Sequence, residues 1–174
     1  MIMIGITGTL GAGKGTIVDC LKERGFSHFS ARDFLVKEIE KRGLPINRDS
    51  MTSTANAIRR EYGNDYIIRS MMDQALKEGK NCVIESVRNP EEVLLMRKVS
   101  GFYLFSVDAD LKIRYERIKL RKSETDNVDF ETFVANEQRE MNPQNGKSQD
   151  IGSCMAMADY RFENNSDIAA LRER

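Results

Sequence analysis

Histidine is almost missing from this sequence: among 174 residues His28 is the only one. That argues against a Ser-His-Asp triad and against a metal centre built on imidazoles. Cysteine is scarce too. Cys20, Cys82 and Cys154 are odd in number, far apart and never spaced as CxxC. A disulfide framework or zinc site is therefore not expected, and the thiols read as small apolar residues, one or two in the core, in a reducing compartment. Nor is there an excess of charge. Lys plus Arg is 27 and Asp plus Glu is 27. With no net field to draw the chain to nucleic acid or to an anionic membrane, any anion binding must come from local clusters. No apolar run reaches membrane-spanning length. The N-terminal Met1-Ile2-Met3-Ile4-Gly5-Ile6 is apolar but short and follows no basic stretch, so it does not read as a signal peptide. These absences predict a cytoplasmic protein with neither nucleic-acid nor membrane partners. Repeats and low-complexity segments are also lacking.

What remains is a globular composition, 40% hydrophobic and 31% charged, long enough to bury a core. Apolar runs alternate with helical patterns, the signature of βαβ units around a parallel sheet. The strands expected are Met1–Thr7, Phe26–Phe29, Cys82–Glu85, Phe102–Val107 and Asp159–Glu163. Between them the pattern predicts helices at Lys14–Arg24, from Asp33 to a break at Gly43-Leu44-Pro45, at Arg48–Tyr62 and at Asp65–Glu78. Asn89-Pro90-Glu91-Glu92 predicts a further helix start, with a cap, a proline in the first turn and an acid at the third helical position. That helix should run to about Ser100-Gly101. Helices at Asp110–Lys122, Asp129–Met141 and Asp167–Arg172 complete the pattern, with loops at Ser123–Asn127 and Asn142–Lys147. The nine methionines read as core filler.

The chemistry gathers in Gly8-Thr9-Leu10-Gly11-Ala12-Gly13-Lys14-Gly15-Thr16, between the first strand and the first helix. That context separates a phosphate-binding loop from a chance match. A triphosphate needs several backbone N–H groups turned inward, and glycines let the chain wrap without Cβ clashes. The helix that follows offers unpaired N–H groups and its positive dipole end to the same phosphates. Lys14 can reach the β- and γ-phosphates, and the Thr16 hydroxyl can serve a Mg²⁺ shell. The expected ligand is ATP with Mg²⁺, held by Gly8, Thr9, Gly11, Ala12, Gly13, Lys14, Gly15 and Thr16.

The GKGT form, with Gly15 between Lys14 and Thr16, resembles adenylate kinases and their relatives among nucleotide kinases; the guanine-reading NKxD motif of GTPases is missing. Over most of the chain the order of elements is similar to the P-loop nucleotide-kinase superfamily, which includes nucleoside-monophosphate, deoxynucleotide and dephospho-CoA kinases. The resemblance implies a three-layer α/β/α P-loop NTPase fold with about five parallel strands in one domain over 1–174. A helical acceptor-binding insert would occupy about 33–78 and a short lid about 114–147.

It also implies roles for particular residues. Ser30-Ala31-Arg32-Asp33 follows the second strand, where such kinases place acceptor contacts. Asp33 is either a helix cap or a general base for an acceptor hydroxyl, and the roles are not exclusive. Arg32, Arg59, Arg60 and Arg69 lie in the insert, where guanidinium groups suit phosphate clamping, although surface helices carry arginines without that purpose. Glu85 would contact the acceptor or the Mg²⁺ shell, where relatives more often have Asp, and Arg88 would hold acceptor phosphate or else pair with Glu91 or Glu92. Arg114, Arg117 and Arg121 share one helix face. Arg117 and Arg121 would stabilise the transferring phosphoryl group, the alternative being a solvated basic face. Asn164 and Asn165 would contact the base or simply form a turn. The set expected for catalysis is Lys14, Asp33, Arg117 and Arg121; for the acceptor, Arg32, Asp33, Arg59, Glu85 and Arg88; for the metal, Thr16 and Glu85; and for the nucleotide base, Asn165.

The expected activity is phosphoryl transfer from MgATP to a nucleotide-like small molecule, with a nucleoside monophosphate favoured over a dephospho-CoA-like hydroxyl acceptor. The alternative of another class is a nucleotide-binding regulator or slow ATPase acting through a protein partner. Monomer and homodimer are both compatible with the sequence.

Overall fold

The computed structural model describes residues 1–121, 128–141, 149–166 and 171. At its centre is β1 (Met3–Gly8), buried at every position. Its neighbours are β3 (Cys82–Glu85) and β4 (Phe102–Asp108), with β2 (Ser27–Ser30) and β5 (Tyr160–Glu163) at the edges, in the order β2-β3-β1-β4-β5. All four pairings are parallel. Alternate residues of the central strands face opposite layers. Met3, Cys82 and Ile84 enter a core with Ile58, Ile68 and Met96, whereas Ile4, Ile6 and Val83 enter one with Ile17, Val18 and Ala12. A strand covered on both faces must be apolar throughout, which is why the central strands were legible as continuous apolar runs.

The helices are α1 (Lys14–Glu23), α2 (Ala31–Lys41), α3 (Arg48–Tyr62), α4 (Tyr66–Glu78), α5 (Pro90–Met96), α6 (Leu111–Arg121), α7 (Phe130–Met141) and α8 (Ile151–Ala156). The two loops expected after α6 and α7, and most of the last expected helix, lie outside the described residues. Among the described residues no helix is long and apolar enough to cross a membrane. Cys82 and Cys154 are buried in the core, where burial pushes their thiols up to about 11 and about 12.

Two expectations need correcting, and one helix was not expected. Asp33 does not cap α2: β2 continues through Ser30, whose Oγ accepts the Asp33 backbone N–H at 3.3 Å. The pairing of Ser30 with Glu85 carries the strand up to the helix and leaves Ser30, not Asp33, in the capping position. Helix α5 stops at Met96 rather than near Ser100, because Val99 N–H turns back to the Met96 carbonyl at 3.0 Å. Helix α8 was not foreseen; it is six residues long and capped by Asp150, which accepts the Ser153 N–H at 2.9 Å.

The expected start of α5 is present, and it has an unforeseen side. Asn89 Oδ1 accepts the Glu91 N–H at 2.9 Å, and Glu92 Oε2 returns to the N–H groups of Asn89 (3.1 Å) and Arg88 (2.8 Å). Glu92 is only 2% exposed. Burial pushes its carboxyl up to about 7, against the pull of the two backbone donors and of the Arg59 and Arg88 charges. A carboxyl whose folded value lies above its unfolded one stabilises the fold fully below about pH 4.5, and loses that contribution as pH rises through about 7. Urea unfolding of the wild-type protein should therefore show stability falling between those two values, by up to about 3 kcal/mol. Glu92→Gln keeps an oxygen for both backbone donors and should flatten that slope.

Candidate active site

The phosphate loop leaves β1 at Gly8 and enters α1 at Lys14. Two of its glycines are required by what lies behind them. At Gly11 φ is +79°, and a Cβ would sit 2.6 Å from the Arg114 carbonyl oxygen. At Gly13 φ is +102°, and a Cβ would sit 2.4 Å from Asn164 Nδ2. Side chains satisfy the loop's carbonyls. Lys14 Nζ donates to Gly8 O (2.8 Å) and Thr9 O (2.7 Å), Arg114 Nη1 to Leu10 O (3.3 Å), and Asn164 Nδ2 to Ala12 O (2.8 Å). Thr9 is 3% exposed, and its hydroxyl donates to Asp108 Oδ1 at 2.6 Å, so its side chain braces the loop from behind.

In front of the loop opens a cleft of about 1220 Å³. Single-ligand sites usually fall within ~300–1,000 Å³, so this one has room for two reactants. It is lined by Gly13, Lys14, Gly15 and Thr16 of the loop and by Arg32, Arg59 and Arg88. Arg117 and Arg121 line it from α6, and Glu85 lines it from the end of β3. In open α/β sheets ligands gather outside the carboxyl ends of the strands, and this cleft lies there.

Its electrostatics are mixed. Burial brings the Lys14 ammonium down to about 8, helped by the neighbouring Arg88 charge and opposed by Glu85 and Glu140. Glu85 is held below its usual value, first by its hydrogen bond with His28 Nε2 (2.9 Å) and then by the charges of Lys14 and Arg88, with burial working against them. Burial also lowers Arg59, and Glu92 offsets part of that.

The expected residues divide. Arg32, Arg59, Glu85, Arg88, Arg117 and Arg121 meet at one cleft although they come from α2, α3, β3, the turn after β3, and α6. Arg88 pairs with neither Glu91 nor Glu92: its Nη1 donates to Gln149 Oε1 at 2.7 Å and lies 3.9 Å from Glu140. Arg114 parts company with Arg117 and Arg121. It is 4% exposed behind the loop, its guanidinium bound by both oxygens of Glu137. Asp33 is exposed and does not line the cleft. Arg60 is exposed, and Arg69 is paired with Asp65 at 3.1 Å. Asn165 is likewise diverted, its Oδ1 accepting the Asp110 N–H at 2.7 Å, while Asn164 lines the cleft.

Sequence reasoning missed Ser86, Glu92, Glu140 and Gln149 as cleft residues, and His28 as the partner of Glu85. Glu92 carried a signal, but one read only as a helix cap. Glu140 and Gln149 carried none, since they flank a segment of no recognisable pattern.

Among the described residues no three His, Cys, Asp or Glu side chains gather to hold a metal unaided. A cation here would be shared between phosphate oxygens, Thr16 and Glu85. The low-held Glu85 carboxyl suits that role, as does a hydroxyl at the third position of α1.

A family profile described as an AAA domain matches residues 4–142. UPF0200 protein MJ1399 of Methanocaldococcus jannaschii is 32% identical over 163 residues, covering 92% of this chain and 80% of that protein. Among solved structures, shikimate kinase from Bacteroides thetaiotaomicron superposes with a TM-score of 0.66 at 14% identity, over 99% of this chain and 95% of that one. Dephospho-CoA kinase from Campylobacter jejuni gives 0.54 at 16% identity, over 98% and 92%. At such identities the structures speak for the fold alone. The loop, the five-stranded parallel sheet and these structures agree on a P-loop NTPase fold of the kind kinases share, and the chain belongs to the UPF0200 family of AAA-domain proteins.

Proposed function

We propose that the protein is an ATP-dependent phosphotransferase that moves the γ-phosphoryl group of MgATP to a nucleotide-like small molecule, foremost a nucleoside or deoxynucleoside monophosphate. The observation that carries this reading is that one cleft joins the phosphate loop to a second set of cationic groups, Arg32, Arg59, Arg88, Arg117 and Arg121. A single-nucleotide switch has no use for the second set. Helices α2 to α4 then serve as the acceptor insert and the region of about 114–147 as the lid of one P-loop kinase domain.

The work falls to positioning and charge. Backbone N–H groups of the loop and the Lys14 ammonium hold the triphosphate. Bound Mg²⁺ would supply charge neutralisation across the phosphate oxygens. Arg32, Arg59 and Arg88 orient the acceptor anion bidentately, while Arg117 and Arg121 face the charge that builds in transfer. One Arg117 nitrogen, Nη2, is tied to the Ser166 carbonyl at 2.9 Å, and the other, Nη1, is buried without a partner among the described residues, which suits a ligand oxygen.

A phosphate acceptor is already an anion and needs no base. A hydroxyl acceptor of the dephospho-CoA kind needs one, and Asp33 is poorly placed for it, lying off the cleft wall. The presence of Glu85, Glu92 and Glu140 on that wall supports the hydroxyl reading as the second choice.

Coupled ADP release with MgATP separates these readings, using AMP, CMP, UMP, GMP, their deoxy forms, dTMP and dephospho-CoA as acceptors. Acceptor-dependent turnover is expected with a monophosphate, and Lys14→Ala should lower it by at least about 10²-fold. ADP release indifferent to every acceptor would instead support a slow ATPase or regulator working through a protein partner. The Lys14 ammonium yields a second expectation. Phosphates placed beside it raise its proton affinity, so binding takes up a proton once pH exceeds about 8. MgADP affinity should fall as pH rises through that value, with proton uptake visible by calorimetry in buffers of different ionisation enthalpy.

A further inference from the structure

Ser86 is the one non-glycine residue with a positive φ among those described, at 71°. It follows the last residue of β3, and the register that pairs Glu85 with Ile6 sets it beside the end of β1, just before the phosphate loop begins. A regular strand would send residues 85 and 87 to one face and residues 86 and 88 to the other. The left-handed turn at Ser86 breaks that alternation. Val87 is buried at 1% exposure, its N–H bonded to the Ile6 carbonyl at 3.0 Å, while Glu85, Ser86 and Arg88 all line the cleft.

The backbone alone does not call for serine here. Glycine adopts a positive φ without the clash that a Cβ suffers, whereas other residues are held there only where their surroundings impose it. What serine adds is a hydroxyl on the cleft wall, and this hydroxyl forms no hydrogen bond among the described residues. In the chain it lies between Glu85 and Arg88, two of the four side chains whose charges act on the Lys14 ammonium. Lys14 lines the same cleft as Ser86.

We infer that the Ser86 hydroxyl donates a hydrogen bond to the terminal phosphoryl group of a nucleoside triphosphate held at Lys14, and that the left-handed backbone serves to aim it there. The inference rests on the proposed nucleotide reading and adds a contact made by the γ-phosphate and not by a diphosphate. Ser86 thereby becomes a residue that distinguishes the loaded donor from the spent one.

Calorimetric binding of MgADP and of the non-hydrolysable triphosphate MgAMP-PNP tests it, on the wild-type protein and on Ser86→Ala and Ser86→Gly, with a melting curve for each. The wild type should prefer the triphosphate. Both variants should lose about tenfold of that preference, the size of one hydrogen bond to a charged group, while binding MgADP as before. Ser86→Gly relieves the backbone and should melt at or above the wild-type temperature. An unchanged preference in both variants overturns the inference, because the hydroxyl is then idle. Loss in only one variant assigns the effect to the backbone and overturns it too. A Ser86→Gly protein melting several degrees low makes the serine structural, which also overturns it. If the wild type binds neither nucleotide, the nucleotide reading itself fails and this inference falls with it; if it binds both, the inference is decided separately by the variants.

Discussion

A loop that turns its N–H groups toward an anion must satisfy its carbonyls somewhere else, and the rest of this structure depends on how that is done. Buried or half-buried backbone oxygens without partners are costly. Here the oxygens of Gly8, Thr9, Leu10 and Ala12 are met by Lys14, Arg114 and Asn164. Arg114 comes from α6, Asn164 from the residue after β5, and Asp108, which holds the Thr9 hydroxyl, from the end of β4. The loop's shape is thus set by three side chains about a hundred or more residues away. Two of the same residues, Arg114 through its backbone carbonyl and Asn164 through its amide, explain why Gly11 and Gly13 can carry no side chain.

The cleft in front of this loop holds opposite charges at close quarters. Six cationic side chains and three carboxylates line it among the described residues. In so enclosed a space burial moves proton affinities toward neutrality, lowering Lys14 and raising Glu92, while partnership does the reverse for Glu85. Arg88 is held in place on the cleft wall: Gln149 and Glu140 meet its guanidinium, and its backbone is anchored by Glu92 and by the Asp150 N–H at 2.7 Å. Such preorganisation lets an incoming anion meet oriented donors rather than mobile side chains.

Much of the fold was legible in the sequence because it rests on local rules. Continuous apolar runs marked the covered strands, and the glycine-rich turn after the first of them marked the phosphate loop. The Asn89 cap with an acid three residues on marked the start of α5. Legibility failed where strand pairing or contacts from afar decided. Asp33 was read as the cap of its helix, but strand pairing carries β2 to Ser30 and makes that residue the cap. Of the neighbours Asn164 and Asn165 the second was expected at the nucleotide base, yet Asn164 braces Ala12 beside the cleft and Asn165 accepts the Asp110 N–H just before α6. Arg114, Arg117 and Arg121 share a helix face, but only the packing of α7, through Glu137, turned the first of them into a buried brace.

The class of chemistry is written in the chain alone: glycine spacing, lysine and helix start make a phosphate site wherever a strand feeds a helix, since backbone geometry and the helix dipole act over a few residues. Which distant side chains share that site is a matter of packing in three dimensions. The carboxyl ends of β1 and β3 bring Lys14, Glu85, Ser86 and Arg88 together, and α3 and α5 add Arg59 and Glu92. Such proximity arises from sheet order and layer packing, which no spacing along the chain records.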